Sequence, residues 1–107
     1  MKGMGNMGNM QGMMQKMQKM QKEMNKEQAA IEETVYQASD VNELVTVKMN
    51  GRKEMVELVL KPELVDPDDV EMLQDLIIAT TNQVLSQIDE DTEKRLGKFT
   101  KNLNLPF

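Results

Sequence analysis

The sequence predicts an α+β protein in the order α-β-β-β-α, with a three-stranded antiparallel sheet between a long N-terminal helix and a long C-terminal helix. Three observations carry this reading. Methionines recur at helical spacing near the N-terminus, an Asn-Gly pair joins two alternating apolar runs, and an Asp-Pro-Asp-Asp segment opens a second amphipathic stretch. With 107 residues, 39% of them hydrophobic, the chain suffices for one domain with a small core. Tyr36, Phe99 and Phe107 are its only aromatic residues. So few large anchors predict that the core is completed by oligomerising.

Residues 1–9 hold three Gly and two Asn and are expected to form a flexible Gly/Met-rich start, with a single domain over residues 10–107. The first helix is expected over about residues 10–30. Met10, Met13, Met17, Met20 and Met24 step by three and four and fall within an arc of about 80° on a helical wheel. Lys19, Lys22 and Lys26 fall near the opposite side, spread over about 60°. Gly12 weakens the first turns by about 1 kcal/mol relative to Ala.

Residues 33–39, ETVYQAS, bring β-branched residues and Tyr36, reading as a short strand or a helix exit, and Asp40-Val41-Asn42 suits a turn. Residues 43–49 read as a strand with Val45, Val47 and Met49 on one face. Asn50-Gly51 is the strongest local signal, since both tolerate the positive φ of tight hairpins. The return strand, residues 54–61, places Val56, Leu58 and Leu60 on one face and ends at Pro62. Asp66 is expected to cap the second helix, with Pro67 at its first position. Its covering face is Leu73, Leu76, Ile77, Thr80, Val84, Leu85 and Ile88, and Gly97 is expected to end it near Leu96.

Composition excludes several functions. The chain has no Cys and no His, hence no disulfide, no thiolate metal site and no Ser-His or Cys-His nucleophile. No apolar run approaches the ~18 residues of a membrane helix. The start MKGMGNMGNM lacks the unbroken apolar segment of a signal peptide, so a cytoplasmic location is expected. No catalytic constellation or phosphate loop appears, and no cofactor, small-molecule substrate or enzymatic activity is implied. The acidic run DPDDVE has no EF-hand spacing and reads as a helix start.

Net charge is −5, but its distribution is uneven. Residues 1–28 carry five Lys against two Glu, residues 54–93 twelve acids against Lys61 alone, and residues 94–107 four bases and no acid. Basic ends therefore flank an acidic middle, and such local fields decide what a surface attracts. Two basic clusters are candidate phosphate contacts: Lys16, Lys19, Lys22 and Lys26 on the first helix, and Lys94, Arg95, Lys98 and Lys101 near the C-terminus. Ammonium groups neutralise backbone charge without reading sequence. The same stripes also serve as a solvated helix face and as a complement to a helix C-terminal dipole. No Arg lies in the first helix and no aromatic is interleaved, so base readout and single-strand stacking have little support. The methionine stripe reads as packing against the same chain or a second copy, because flexible thioethers fill irregular interfaces. Its alternative is an adaptable surface for another protein, which would make this a protein-interaction module rather than a DNA binder. For a soft metal such as Cu(I), thioethers without Cys or His leave only weak ligands.

Residues 44–64, LVTVKMNGRKEMVELVLKPEL, form a strand, an Asn-Gly turn and a strand closing on Pro-Glu-Leu. Met72-Leu73-Gln74-Asp75-Leu76-Ile77 follows, with Asn82 beyond it. Together with the Gly/Met-rich start, the Met-Gln-Lys helix and the final Leu105-Pro106-Phe107, this resembles the YbaB/EbfC family of nucleoid-associated proteins over nearly the whole chain. Two departures are Ser39-Asp40-Val41-Asn42, where the family often has a glycine-rich turn, and Lys61, where it commonly has Asp. The resemblance implies a homodimer with a central sheet and protruding helices shaped like tweezers. It also implies a nucleoid-associated protein that binds double-stranded DNA with little or modest sequence preference, through basic residues near the helix ends.

Overall fold

The computed structural model describes residues 2–103, and within them the side chains of residues 10–99. Its elements are α1 (Lys2–Glu33), β1 (Val35–Ser39), β2 (Val45–Asn50), β3 (Met55–Leu60), a short 3-10 turn (Pro62–Leu64) and α2 (Val70–Leu103). The strands form one antiparallel sheet in the order β1-β2-β3. This is the α-β-β-β-α arrangement expected from the sequence. The expected flexible start, residues 1–9, has its side chains outside the described residues.

The molecule is long rather than round. Its radius of gyration is 22.0 Å and its principal extents are 83 × 22 × 16 Å, against roughly 13 Å for a compact chain of this length. The two helices cause this, since 34 residues of α2 span about 51 Å at ~1.5 Å per residue. The sheet and the middle of α2 form the body, and the two helices run out from it.

The core follows the strand period. Val45, Val47 and Met49 alternate inward along β2, with Ala38 from β1, and all four are buried. Thr80, Val84 and Ile88 of α2 close on them, at the spacing of one helix face. Leu73, Leu76, Ile77 and Leu85 lie half-buried around this cluster, so the expected covering face is the observed one. α2 packs on β1 and β2, and β3 extends beyond its cover. On the outer sheet face Lys48 pairs across strands with Glu57 at 3.0 Å, and the Ser39 and Thr46 hydroxyls lie 2.8 Å apart.

Both hairpins use the same device. In the β2–β3 turn, Asn50 Oδ1 accepts from the amides of Arg52 and Glu54, the Lys53 amide donates to Asn50 O, and Lys53 takes φ 67°. In the β1–β2 turn, Asp40 accepts from the amides of Asn42 and Val45, the Glu43 amide donates to Asp40 O, and Glu43 takes φ 56°. An Asx side chain ties down the turn and the left-handed residue closes it. The positive φ expected at Asn50-Gly51 therefore falls on Lys53. A register shift between Lys48 and Met49 leaves Val56 without a ladder partner, so only Leu58 and Leu60 of the expected β3 face stand opposite Val47 and Val45.

The α2 boundaries also differ from expectation. Asp66 does not cap the helix; it closes a turn, with Asp68 N donating to its carboxylate and Asp69 N to its carbonyl. The capping role passes to Asp69, whose carboxylate accepts from the Met72 amide three positions on. Gly97 does not end the helix. Phe99, 6% exposed, is buried two residues later, and packing of this kind outweighs the weak propensity of one glycine.

Candidate nucleic-acid interface

Lys16, Lys19, Lys22 and Lys26 are all exposed along α1, as are Lys94 and Lys98 along α2. The chain reverses direction through the sheet, so the end of α1 that enters the body lies beside the C-terminal part of α2. Lys26 of α1 and Lys98 of α2 thereby line one crevice of about 400 Å³ together with Glu23, Glu27 and Phe99. Lys94 faces a neighbouring cleft with Tyr36, Gln87, Glu90 and Asp91. The two clusters predicted from sequence thus meet through Lys26 and Lys98. Lys16 and Lys19 stand further out along α1. Lys101 lies in α2, but its side chain is outside the described residues.

Arg95 stands apart from these lysines. Its Nε donates to Glu27 Oε1 at 2.6 Å, and its Nη1 lies 3.4 Å from both Asp91 Oδ2 and Thr34 Oγ1. The Tyr36 hydroxyl donates to the same Asp91 oxygen at 2.5 Å. Five side chains from α1, β1, α2 and the α1–β1 junction therefore share one hydrogen-bonded cluster. Arg95 is 28% exposed and Glu27 26%, so the pair is partly withdrawn from water.

The charges respond to this arrangement. The Arg95 hydrogen bond holds the Glu27 carboxyl below its usual value. The Tyr36 hydroxyl, and after it Arg95, holds the Asp91 carboxyl below its own. Burial, reinforced by the bond to Asp91, raises the Tyr36 phenol above 10.0. The bond to Glu27 raises the Arg95 guanidinium further. Of this cluster, the Asp91–Arg95 pair at i, i+4 was visible in the sequence. Glu27, Thr34 and Tyr36 lie 68, 61 and 55 positions from their partners, and no local pattern announces them.

The methionines divide along α1. Met20 and Met24 are half-buried, whereas Met10, Met13, Met14 and Met17 are 62%, 64%, 57% and 60% exposed. Packing within one chain therefore covers only the inner end of the stripe. Among the described residues no group of acids has the arrangement of a metal site, and no helix is long and apolar enough to cross a membrane.

Comparison with known proteins agrees with this architecture. The model of the YbaB/EbfC DNA-binding family matches residues 7–103. A nucleoid-associated protein of Oceanobacillus iheyensis is 52% identical over 83 residues, covering 78% of this chain and 80% of that protein. One from Alkaliphilus metalliredigens is 49% identical over 84 residues, covering 78% of this chain and 74% of its own length. The crystal structure of an uncharacterized Helicobacter pylori protein, HP0035, superposes with a TM-score of 0.61 at 22% identity, over 73% of this chain and 90% of that one, a likeness of fold. The family is one of DNA-binding proteins rather than enzymes. On these matches and on the fold they share, the chain belongs to the YbaB/EbfC DNA-binding family.

Proposed function

We propose that this protein binds double-stranded DNA in the bacterial nucleoid as a homodimer, through phosphate contacts with little sequence preference. The observation that carries the reading is the convergence of Lys26 and Lys98, from two helices, at one crevice. Lys16, Lys19 and Lys22 extend that basic surface along α1, and Lys94 extends it along α2; Lys101, later in the same helix, is proposed as a further contact. Ammonium groups on exposed helices meet phosphate oxygens and release counterions, which gives affinity without base readout. The relatives' nucleoid-associated names support the location.

The homodimer is supported by β3. It is an edge strand, yet Met55, Val56, Leu58 and Val59 remain 43%, 54%, 41% and 46% exposed. Unpaired strand edges with apolar side chains invite another strand, and a second copy covers both the edge and the residues that α2 does not reach.

The test is a fluorescence-anisotropy titration onto a labelled duplex at several salt concentrations. The wild type is compared with Lys19→Ala/Lys22→Ala/Lys26→Ala. The expected result is log affinity falling linearly with log salt, with a shallower slope in the triple variant. An unchanged slope moves the contact to the α2 lysines, and no wild-type binding at low salt refutes the reading. The exposure of Met10, Met13, Met14 and Met17 favours a second reading, a surface for apolar partner segments. Binding of such peptides that survives high salt is its signature.

A further inference from the structure

We infer that Arg95 is a brace between the two helices rather than a phosphate contact. Its guanidinium holds the lysine-bearing part of α1 in place against α2. This inference rests on the DNA-binding reading only for its functional consequence; the bracing itself is a statement about the fold.

The geometry separates Arg95 from its basic neighbours. Lys94 and Lys98, on either side of it, are exposed. Arg95 instead turns toward α1, bonding Glu27 at 2.6 Å, with Thr34 and Asp91 each at 3.4 Å. A guanidinium can engage several acceptors at once from a planar fork, whereas an ammonium acts as a point charge. Asp91 is fixed in turn by the Tyr36 hydroxyl of β1, so the fork links α1, the sheet and α2. Two carboxylates beside one guanidinium also cancel its charge, leaving little field to attract DNA.

The site of the brace explains its reach. Glu27 is one position from Lys26 and close to Lys22 and Glu23 on the same helix. Next to Glu27, α1 and α2 face each other across the crevice lined by Glu23, Lys26, Glu27, Lys98 and Phe99. Beyond it α1 has exposed methionines and lysines. Loosening the Glu27–Arg95 contact frees this arm to splay and spreads the lysines that must meet the duplex together.

A charge-sign experiment separates a brace from a contact. Arg95→Ala, Arg95→Lys, Glu27→Gln and, as control, Lys98→Ala are compared with wild type by amide hydrogen exchange over residues 21–31. Duplex affinity across a salt series is measured in parallel. For a brace, Arg95→Ala and Glu27→Gln both accelerate exchange severalfold and both weaken DNA binding severalfold, although Glu27→Gln removes a negative charge. Arg95→Lys fails to restore either property, and Lys98→Ala leaves the exchange at wild type. Tighter DNA binding by Glu27→Gln with unchanged exchange overturns the inference and returns Arg95 to the phosphate contacts. Should the wild type bind no duplex, the DNA reading fails alone. Exchange then decides the brace, with acceleration upholding it and wild-type rates refuting it.

Discussion

Gly51, at the tip of the β2–β3 hairpin, lies against the backbone of Ile31 near the end of α1. A Cβ placed on it would stand 1.9 Å from the Ile31 carbonyl oxygen and 2.5 Å from its carbon. The glycine is needed for this close approach and not for a left-handed conformation, since no glycine among the described residues has positive φ. The contact seats the hairpin against α1, and Arg52–Glu32 at 3.7 Å and Lys53–Asp89 at 3.0 Å flank it toward both helices.

The same substitution at two glycines is therefore expected to have opposite effects. Gly51→Ala forces backbone apart and is expected to cost about 2–3 kcal/mol or more, as overpacking does. Gly97 is inside α2, and a Cβ there meets nothing within 4 Å, so Gly97→Ala is expected to stabilise by about 0.5–1 kcal/mol. Urea unfolding with unchanged m-values checks both signs.

Glu43 is exposed and holds φ 56° in the β1–β2 turn. A non-glycine residue in this region is strained by roughly 1–2 kcal/mol. Glu43→Gly is thus expected to raise stability by up to about 1 kcal/mol after the added freedom of the unfolded chain. Thermal unfolding should show a higher midpoint; a lower one would mean that Glu43 makes the turn in some other way.

The pH dependence has two signs. Glu27 and Asp91 have depressed carboxyl values in the fold. Their contribution is complete above the unfolded carboxyl range and is lost as pH falls through the lower, folded values. Tyr36 is raised above 10.0. Its contribution is complete below that value and is lost as pH rises through the folded one. Once corrected for the pH dependence of intrinsic exchange, amide protection over residues 21–31 should therefore fall under acid in wild type and respond less in Glu27→Gln.

For the proposed dimer, Leu58→Glu is the informative change. Leu58 stands opposite the buried Val47 yet is 41% exposed in the single chain. A charge there is tolerable in a monomer and costly beneath a second copy. Light scattering during size-exclusion chromatography should show a shift from dimer to monomer at low protein concentration. An unchanged mass would place the interface elsewhere.

The order of elements, the helical methionine and lysine stripes, the alternation of Val45, Val47 and Met49, and the covering face of α2 could all be read from the chain alone. These are periodic signals, and the hydrophobic effect acts on them locally and consistently. The family resemblance was legible for the same reason, because its motifs sit on the strands, the hairpin turn and the start of α2. Other features depend on groups far apart in the chain and emerge only in the folded molecule. Phe99 carries α2 past Gly97, and Ile31 explains why Gly51 cannot bear a side chain. The left-handed positions fell to Glu43 and Lys53, because the Asx residues Asp40 and Asn50 fixed the turns. Glu27, Tyr36 and Asp91 drew Arg95 away from the exposed lysines flanking it. A run of basic residues looks uniform in sequence. Which of them faces water and which is held inside is set by the acids that the fold brings across from another helix.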